Sequence, residues 1–276
     1  MNIPAGHIAV STLPAGGVRA KKSLGQHFLH DPAIAQRIVA SLSGNAGTAL
    51  EVGPGRGVLT ALLLQRTDII TYAAEIDQEL IAFLRTRFPA WGERLMAGDF
   101  LTLPLHEYFQ TPFAVIGNFP YNISSQIFFK ILENRRLIPE VVGMIQKEVA
   151  ERIACRAGGK TYGILSVLLQ AYYRIEYLFT VHEHAFTPPP KVKSAVIRLT
   201  RNAVTQLDCD EQLFIKVVKA TFNQRRKVIR NSIKALTGAH PLPEHRYFSM
   251  RPEQLGVDEF VELTQIIEHF PCTEEK

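Results

Sequence analysis

The sequence predicts an α/β protein: strands and helices alternate to form a parallel sheet, and a small helical region follows. Two observations lead to this fold class. Between residues 48 and 145, short aliphatic runs that end in glycine or acidic residues alternate with segments of helical periodicity. This alternation is typical of βαβ units and a parallel sheet. After about residue 202 the strand pattern stops, which favours a separate helical region.

Local signals place the elements in chain order. A first helix is predicted to begin at Pro32, because Asp31 can cap free amide groups and proline fits the first helical position. The next elements are a strand over Thr48–Val52, a helix over Val58–Leu64, a strand over Ile69–Ile76, a helix after Asp77, strands over Leu95–Ala97 and Phe113–Ile116, a helix over Ser125–Leu132 and a strand over Val141–Ile145. Branched residues then predict two antiparallel strands at one side of the sheet, over Ile175–Val181 and Val192–Leu199.

The chain is expected to divide into three regions. Residues 1–20 are rich in Gly, Pro and Ala without periodicity, which predicts a flexible tail. Residues 21–202 contain the predicted sheet, and residues 203–276 are expected to form a small all-helical domain. Within that domain, Leu213–Leu236 is predicted to be helical and contains seven basic residues but no acidic one. We therefore expect one basic face and, because acids dominate after Arg251, one acidic face.

The composition excludes several classes of protein. Hydrophobic residues make up 46% of the 276 residues and the net charge is +5, as in an ordinary folded domain. No apolar run approaches the about 18 residues of a membrane span, and no secretory signal pattern is present. The cysteines Cys155, Cys209 and Cys272 are far apart, which excludes a zinc knuckle and a disulfide framework. We expect a cytoplasmic protein without a metal, away from membranes and monomeric.

The most informative stretch is the glycine-rich turn Glu51–Gly57, which lies between a strand and a helix, where open α/β sheets bind ligands. Its G-x-G-x-G spacing differs from the G-x-G-x-x-G of dinucleotide-binding proteins. Glu51 could face a ligand amino group through water, and a carboxylate there tolerates a cation better than a pyrophosphate. Glu75 and Asp99 end the next two strands, where they can accept hydrogen bonds from ribose hydroxyls and an adenine amino group. These features favour S-adenosylmethionine (SAM) over the alternative of a tight turn with two solvated acids.

A second motif, Asn118-Phe119-Pro120-Tyr121, follows the fourth strand at the same edge of the sheet. It suits the methylation of an exocyclic amine whose lone pair is delocalised into a ring. The Asn118 side-chain oxygen and a backbone carbonyl near Phe119 or Pro120 can hold the two amine hydrogens and aim the lone pair at a sulfonium methyl group. Pro120 stiffens the loop and Tyr121 offers a stacking face. Catalysis would then be mainly positioning and electrostatics.

Eight stretches in a fixed order extend the pattern from about Lys22 to about Ser249. They are Leu24–Leu29 (LGQHFL), Glu51–Gly55 (EVGPG), Glu75–Asp77 (EID), Gly98–Asp99 (GD), Gly117–Ser124 (GNFPYNIS), Gln146–Val149 (QKEV), Ala185–Val192 (AFTPPPKV) and Phe222–Lys227 (FNQRRK). In these stretches the chain closely resembles the KsgA (RsmA) family of ribosomal RNA adenine dimethyltransferases. The last two stretches are far more specific than the glycine turn, which many methyltransferases share.

The resemblance implies a Rossmann-like class I SAM-dependent methyltransferase fold and a set of site residues. The implied cofactor-binding residues are Gln26, His27, Leu29, Gly53, Gly55, Glu75, Asp99 and Asn118. The implied acceptor residues are Asn118, Pro120 and Tyr121, with Phe186 stacked on the target adenine opposite Tyr121. The implied product is N6,N6-dimethyladenosine at two adjacent adenosines near the 3′ end of small-subunit (16S) rRNA. The chain departs from many members at His27, where they carry Asn, and at Phe119, where they carry Leu.

Two basic stretches form the candidate RNA-binding surface. Residues 184–207 contain no acid, and they include Lys191 and Lys193. With Arg225, Arg226 and Lys227 they are candidates for phosphate contacts. The target base must leave its stack to reach the pocket, so aromatic faces are expected beside it. The expected partner is small-subunit rRNA within a pre-30S-like particle.

Two other functions fit parts of the pattern. A methyltransferase of the macrolide-resistance type, acting on large-subunit rRNA, shares the cofactor and amine motifs, but we do not expect the Phe222–Lys227 stretch in it in this form. A non-catalytic ribosome-assembly or transcription factor could use the same fold. The intact Asn118–Tyr121 motif argues against lost catalysis.

Overall fold

The computed structural model describes residues 18–238 and 241–269. Residues 1–17 of the predicted tail, Cys272 and the acidic end of the chain lie outside these ranges. The strands are β1 Phe28–Leu29, β2 Thr48–Val52, β3 Ile70–Glu75, β4 Leu95–Ala97, β5 Ala114–Asn118, β6 Glu140–Gln146, β7 Tyr173–Val181, β8 Phe186–Thr187 and β9 Ser194–Arg201. The α-helices are α1 Pro32–Ala40, α2 Val58–Leu63, α3 Gln78–Arg87, α4 Leu105–Tyr108, α5 Ser124–Glu133, α6 Lys147–Ala154, α7 Ile164–Gln170, α8 Glu211–Asn223, α9 Ile229–Ser232, α10 Lys234–Thr237 and α11 Val257–Glu268.

Seven strands form one mixed sheet in the order β4-β3-β2-β5-β6-β9-β7. The first five are parallel to one another, and β9 and β7 are antiparallel additions at one side. After β2, the next two strands, β3 and β4, are added on one side of β2. The following strand, β5, lies on the other side of β2. This reversal of strand order leaves a crevice at the carboxyl ends of β2 and β5, which is where open α/β sheets bind ligands. The predicted α/β fold class is confirmed.

Register brings the ends of the central strands to the same edge. Val52 pairs with Ala74, Glu75 with Ala97, and Asn118 with Met144. The residues that follow these strands therefore meet at one edge, although they lie far apart in the sequence. The nine-residue helix α1 begins as expected, since Asp31 Oδ1 accepts hydrogen bonds from the backbone N–H groups of Ala33 and Ile34.

Alternating side chains bury both faces of the sheet. Leu50 and Val115 face the larger apolar cluster, whereas Ala49 and Ala114 face the cluster that α1 and α2 cover. The larger cluster also contains Phe214 of α8 and apolar residues of α11. The C-terminal helices thus share an apolar cluster with the sheet, and the boundary between residues 202 and 203 stays a prediction.

The prediction of a helix over Leu213–Leu236 is wrong in one respect. Helix α8 ends at Asn223, and the short helices α9 and α10 follow after a turn. The sequence between Asn223 and Lys227 contains five consecutive polar residues, so a continued helix would bury nothing over that turn. Instead the backbone bends, and the buried Ile229 donates its N–H to the carbonyl of Met250.

Candidate active site

A cavity of about 250 Å³ lies at the carboxyl edge of the parallel strands. Its wall is formed by the glycine turn after β2, by Glu75 and Asp99 at the ends of β3 and β4, and by the Asn118–Tyr121 loop at the end of β5. The segment before and within β1, which we call the N-terminal segment (Lys21–Leu29), closes the remaining side through residues 24–29. The structure thus brings every predicted cofactor residue to this wall.

The glycine turn is shaped by backbone conformations that favour glycine. Gly53 and Gly55 have φ values of +65° and +57°, which are costly for residues with a side chain. A Cβ atom added at Gly53 would approach only Pro120 Cδ, at 4.0 Å. A Cβ atom at Gly55 would lie 3.1 Å from the Phe28 ring. Gly53 therefore keeps the cavity open beside Pro120, and Gly55 lets the N-terminal segment pack against the turn.

Two buried carboxyl groups lie in the wall on the glycine-turn side. Glu51 is 1% exposed, and its Oε2 accepts a hydrogen bond from Thr60 Oγ1 at 2.6 Å. Burial raises the pKa of Glu51 to about 8, because the charged form loses its hydration. Burial also raises the pKa of Glu75, and hydrogen bonds from the backbone N–H groups of Asp77, Gly55 and Ile76 oppose that rise.

These hydrogen bonds fix the orientation of the Glu75 carboxylate. Oε1 accepts from the N–H groups of Ile76 and Asp77 at 2.9 and 3.0 Å, and Oε2 accepts from Gly55 at 3.2 Å. Each carboxylate oxygen can accept two hydrogen bonds, so Oε2 can still accept one, for example from a ribose hydroxyl. Asp99 is held similarly, since its Oδ1 accepts from the Leu101 N–H at 2.9 Å.

The charges of the wall fit a cationic ligand. Its acidic residues are Glu75, Asp99 and Glu51, and its basic ones are Arg56 and His27. With its pKa raised to about 8, Glu51 is mostly neutral near pH 7, so Glu75 and Asp99 carry the negative charge. The Arg56 guanidinium is engaged elsewhere, because it donates to the Val18 carbonyl at 2.7 Å and lies over the Phe28 ring. A phosphate would face carboxylates here, whereas a sulfonium and an ammonium group would not be repelled. The groups of the cavity wall therefore fit SAM, which carries a sulfonium and an ammonium group.

The N-terminal segment is anchored by a buried aspartate that the sequence analysis did not assign to the site. Lys21 Nζ lies 2.7 Å from Asp77 Oδ1, and Gln26 Nε2 donates to Asp77 Oδ2 at 3.2 Å. Gln26 Oε1 also accepts from the Lys21 N–H at 2.8 Å. Both ends of the Gln26 amide are therefore engaged within the protein. These bonds of Gln26 stabilise the N-terminal segment. A contact of Gln26 with the cofactor stays a prediction.

The β5 loop presents Asn118 to the cavity in a fixed orientation. Asn118 Nδ2 donates to the backbone carbonyl of His27 at 2.8 Å, which leaves Oδ1 without a donor among the described residues. The Pro120 carbonyl accepts from the Ile123 N–H, whereas the Phe119 carbonyl has no such partner in the same ranges. The Phe119 ring itself is buried against Gly143, where an added Cβ would lie 2.6 Å from it. Within the Asn118–Tyr121 loop, Asn118 Oδ1 and the Phe119 carbonyl are thus acceptors that no group in the described part of the chain occupies.

Tyr121 is held at its hydroxyl and on one face of its ring. The hydroxyl is hydrogen-bonded to Ser194 Oγ on β9. The ring stacks on His27 with centroids 5.3 Å apart and planes at 29°. Burial raises the pKa of Tyr121, so the phenol stays neutral near pH 7. The motif pattern indicated Tyr121 but gave no signal for Ser194.

Phe186 lies elsewhere than the resemblance implies. Strand β8 pairs antiparallel with β1, so Phe186 is opposite Leu29, and its side chain is 2% exposed within the apolar cluster of α1 and α2. The ring is not part of the cavity wall in the described structure. Stacking of Phe186 on a target base stays a prediction.

The candidate RNA-binding residues differ in solvent exposure and in their contacts within the protein. Lys191, Lys193, Arg226 and Lys227 are exposed. Arg225 is engaged within the protein: it donates to the Lys160 carbonyl at 2.6 Å and lies 3.7 Å from Glu253. Arg225 is therefore placed to hold the C-terminal helices against the loop after α6. This contact was not expected from the sequence.

Two general features concern the described residues only. Within residues 18–238 and 241–269, no group of His, Cys, Asp and Glu side chains is arranged to hold a metal ion. Within the same ranges, no helix is both long enough and apolar enough to cross a membrane.

Comparison with known proteins gives consistent results. The family model described as ribosomal RNA adenine dimethylase matches residues 17–266. The chain is 56% identical over 254 residues to ribosomal RNA small subunit methyltransferase A of Bacteroides thetaiotaomicron, covering 91% of this chain and 95% of that protein. Its fold is similar to the crystal structure of a dimethyladenosine transferase from Plasmodium falciparum (TM-score 0.70, 23% identity, 86% and 96% coverage). It is also similar to that of the 23S rRNA methyltransferase ErmE (TM-score 0.63, 26% identity, 86% and 99% coverage).

The match of the family model over most of the chain agrees with the glycine turn, the acidic wall and the Asn118 loop. The chain therefore belongs to the ribosomal RNA adenine dimethylase family of SAM-dependent methyltransferases.

Proposed function

We propose that the protein transfers methyl groups from SAM to N6 of two adjacent adenosines near the 3′ end of small-subunit rRNA, which yields N6,N6-dimethyladenosine. The relative with 56% identity over nearly the whole chain bears a small-subunit name. The observation that carries the chemistry is the anchored Asn118 amide, whose free Oδ1 lies in the wall of an acid-lined cavity.

The acceptors of the β5 loop explain how a poor nucleophile reacts. Asn118 Oδ1 and the Phe119 carbonyl hold the two N6 hydrogens of the adenine. This arrangement draws the nitrogen lone pair out of conjugation with the ring. When bound, the cofactor supplies a methyl group on a positively charged sulfur, so no metal and no strong base are needed. The nitrogen gains the methyl carbon, the sulfur keeps the electron pair of the broken bond, and one amine proton leaves to solvent. The loop contributes positioning and electrostatic stabilisation.

The second methylation uses the same acceptors differently. After one transfer, N6 carries a single hydrogen, and only one of the two acceptors is then occupied. Asn118 Oδ1, fixed through Nδ2, can hold that hydrogen while the first methyl group lies toward the other side. Because the side-chain amide is anchored, it does not have to reorganise between the two steps.

The exposed basic residues supply the RNA-binding surface of this proposal. Lys191 and Lys193 follow β8, and Arg226 and Lys227 lie in the turn after α8. Their charges would contact phosphates and hold the rRNA while the target base enters the cavity. We place the reaction on a pre-30S-like particle in the cytoplasm, with a monomeric enzyme.

The large-subunit alternative is less well supported. The 23S rRNA methyltransferase has 26% identity, against 56% for the small-subunit relative, although both cover most of this chain. A purely non-catalytic role would leave the anchored Asn118 without a purpose. Binding to an immature subunit can still serve as an assembly checkpoint, since a bound enzyme occludes its surroundings whether or not it transfers a methyl group.

The test is transfer of tritiated methyl groups from SAM to small ribosomal subunits that lack adenine dimethylation, followed by nucleoside analysis. We expect labelled N6,N6-dimethyladenosine from small subunits that lack the dimethylation, and no label from small subunits that are already fully methylated. Large-subunit RNA serves as the second substrate. Labelling of large-subunit RNA alone would favour the macrolide-resistance type, and no labelling despite SAM binding would favour a binding role.

A further inference from the structure

His27 joins three segments that meet at the acceptor side of the cavity. Its backbone carbonyl accepts the hydrogen bond from Asn118 Nδ2, as described above. Its ring stacks on Tyr121, and its Nδ1 lies 2.8 Å from the carbonyl oxygen of Pro188. One residue of the N-terminal segment therefore contacts the β5 loop twice and the chain after β8 once.

The contact with Pro188 defines the donor. A carbonyl oxygen can only accept a hydrogen bond, so Nδ1 of His27 must carry the hydrogen. That bond fixes the plane of the imidazole, because the ring cannot rotate without breaking it. The stacked face is thereby presented to Tyr121 in a defined orientation.

Besides the His27 stack, two hydrogen bonds involve Tyr121 in the described part of the chain. The hydroxyl bond to Ser194 restrains one end, and the Tyr121 carbonyl accepts from Ser124 Oγ at 3.3 Å. Neither contact sets the rotation of the ring about its long axis. The His27 ring covers one face and restrains that rotation, which leaves the opposite face for a base.

We propose that His27 is a positioning residue: its imidazole, held by Pro188, sets the Tyr121 ring as the platform on which the target adenine stacks. This inference rests on the proposed function, since it presumes that an adenine reaches Tyr121. The aromatic ring adds a contact to Tyr121 that an amide side chain does not make.

Two substitutions separate the ring from the hydrogen bond. His27→Asn keeps an amide N–H near the position of Nδ1 but removes the ring. His27→Phe keeps the ring but removes the donor to Pro188. His27→Ala removes both, and His30→Ala is the matched control, because His30 lies on the same stretch of chain with an exposed side chain. For each variant we would measure kcat and KM with under-methylated small subunits, the Kd for SAM, and Tm.

Stacking between aromatic rings is worth enough to change rates by about threefold to tenfold. We expect His27→Ala and His27→Asn to lower kcat by this factor, while KM for the subunit changes less. His27→Phe should recover part of the kcat lost in His27→Ala, because the ring remains but the bond to Pro188 does not, and His30→Ala should match the wild type. A merely structural role would lower Tm and SAM affinity in all three His27 variants and would give no recovery with Phe.

Tyr121→Ala, measured in the same assays, distinguishes the positioning role of His27 from the platform role of Tyr121. If Tyr121→Ala loses transfer while His27→Asn and His27→Ala do not, the positioning role of His27 is wrong and the platform role of Tyr121 stands. If Tyr121→Ala transfers at the wild-type rate, the platform itself is wrong. Equal kcat in His27→Phe and His27→Ala would also overturn the inference, because the ring would then contribute nothing.

Discussion

The two halves of the cavity are built in different ways. The cofactor half consists of the glycine turn, Glu75 and Asp99, and each part lies at the carboxyl end of a parallel strand. The acceptor half consists of the Asn118–Tyr121 loop, which contacts His27 of the N-terminal segment and Ser194 of β9, while Pro188 holds the His27 ring. The first half is thus a consequence of strand order, whereas the second depends on tertiary contacts.

This difference has a functional meaning. Strand ends in a parallel sheet are fixed by the register of the whole sheet, so the cofactor half is rigid by construction. The acceptor half is held by a few side-chain contacts to the N-terminal segment and to the chain around β8. Substitution of Tyr121, which is not among the predicted cofactor-binding residues, should therefore lower methyl transfer and leave cofactor binding largely intact. Substitutions in the cofactor half should weaken SAM binding itself.

The largest effect is expected from Asn118→Ala. Removing a preorganised polar group of this kind lowers rates by about 100-fold to 1,000-fold, and we expect transfer to fall by at least the lower of these factors. Binding to small subunits should remain near the wild-type level, because the basic surface is unchanged. Filter binding and methyl transfer would be measured together.

Asn45→Ala is the matched control for that variant, since Asn45 is exposed and lies outside the cavity wall. Equal losses of subunit binding and of transfer in Asn118→Ala would contradict the role given to Asn118 Oδ1.

Gly53→Ala tests the cofactor half. Its Cβ would occupy the open space beside Pro120, so we expect SAM affinity to fall by at least about tenfold. The left-handed backbone adds a cost of about 1–2 kcal/mol to stability. Gly47→Ala is the control, because Gly47 has the same φ of +65° and an added Cβ there would meet nothing within 4 Å.

Calorimetric titration with SAM and urea unfolding would be done on both glycine variants. The account predicts similar stability losses but weak SAM binding only in Gly53→Ala. Equal SAM affinity in the two would show that the turn does not approach the cofactor.

Glu51→Gln tests the buried acid through the dependence of stability on pH. Its pKa is about 8 in the folded protein against an ordinary value of 4.5. The folded state therefore binds more protons than the unfolded state between these values, so stability falls as pH rises from about 5 to about 8. Gln, which stays neutral and can still bond to Thr60, removes that slope.

Urea unfolding of both proteins across this pH range gives the difference directly. We expect the wild type to lose up to about 1.4 kcal/mol per pH unit relative to Glu51→Gln. Parallel curves would mean that Glu51 ionises near its ordinary pKa in the folded protein.

The smallest effect is expected on the RNA-binding surface. Arg226→Ala should weaken binding to small subunits and lower the slope of log affinity against log salt by about 1. Arg225→Ala is its neighbour and contrast: because Arg225 contacts the Lys160 carbonyl and Glu253, it should lower Tm and leave the slope unchanged. Identical slopes for Arg226→Ala and the wild type would exclude a phosphate contact at Arg226.

The sequence predicted the cofactor half better than the acceptor half for a physical reason. Strand ends and turn residues such as Gly53 and Glu75 carry local signals, and parallel strands must place them at one edge. The fold class follows from the same alternation, and the predicted strands agree with the structure within about two residues.

What the sequence could not show depends on contacts between distant segments. The ion pair of Lys21 with Asp77 and the bond of Tyr121 to Ser194 have no local pattern. The break after Asn223 could have been read from five consecutive polar residues, whereas the pairing of β1 with β8, which buries Phe186, could not. Two-residue strands depend on tertiary pairing, since they are too short to show a period.

The most direct test of the division into two halves is one variant measured in two ways. Tyr121→Ala would be titrated with SAM and assayed for methyl transfer to under-methylated small subunits. If the two halves are separate, SAM affinity stays close to that of the wild type while methyl transfer falls by a large factor. A parallel loss of SAM affinity and transfer would contradict this division, because the acceptor loop would then be part of the cofactor site rather than a separate half.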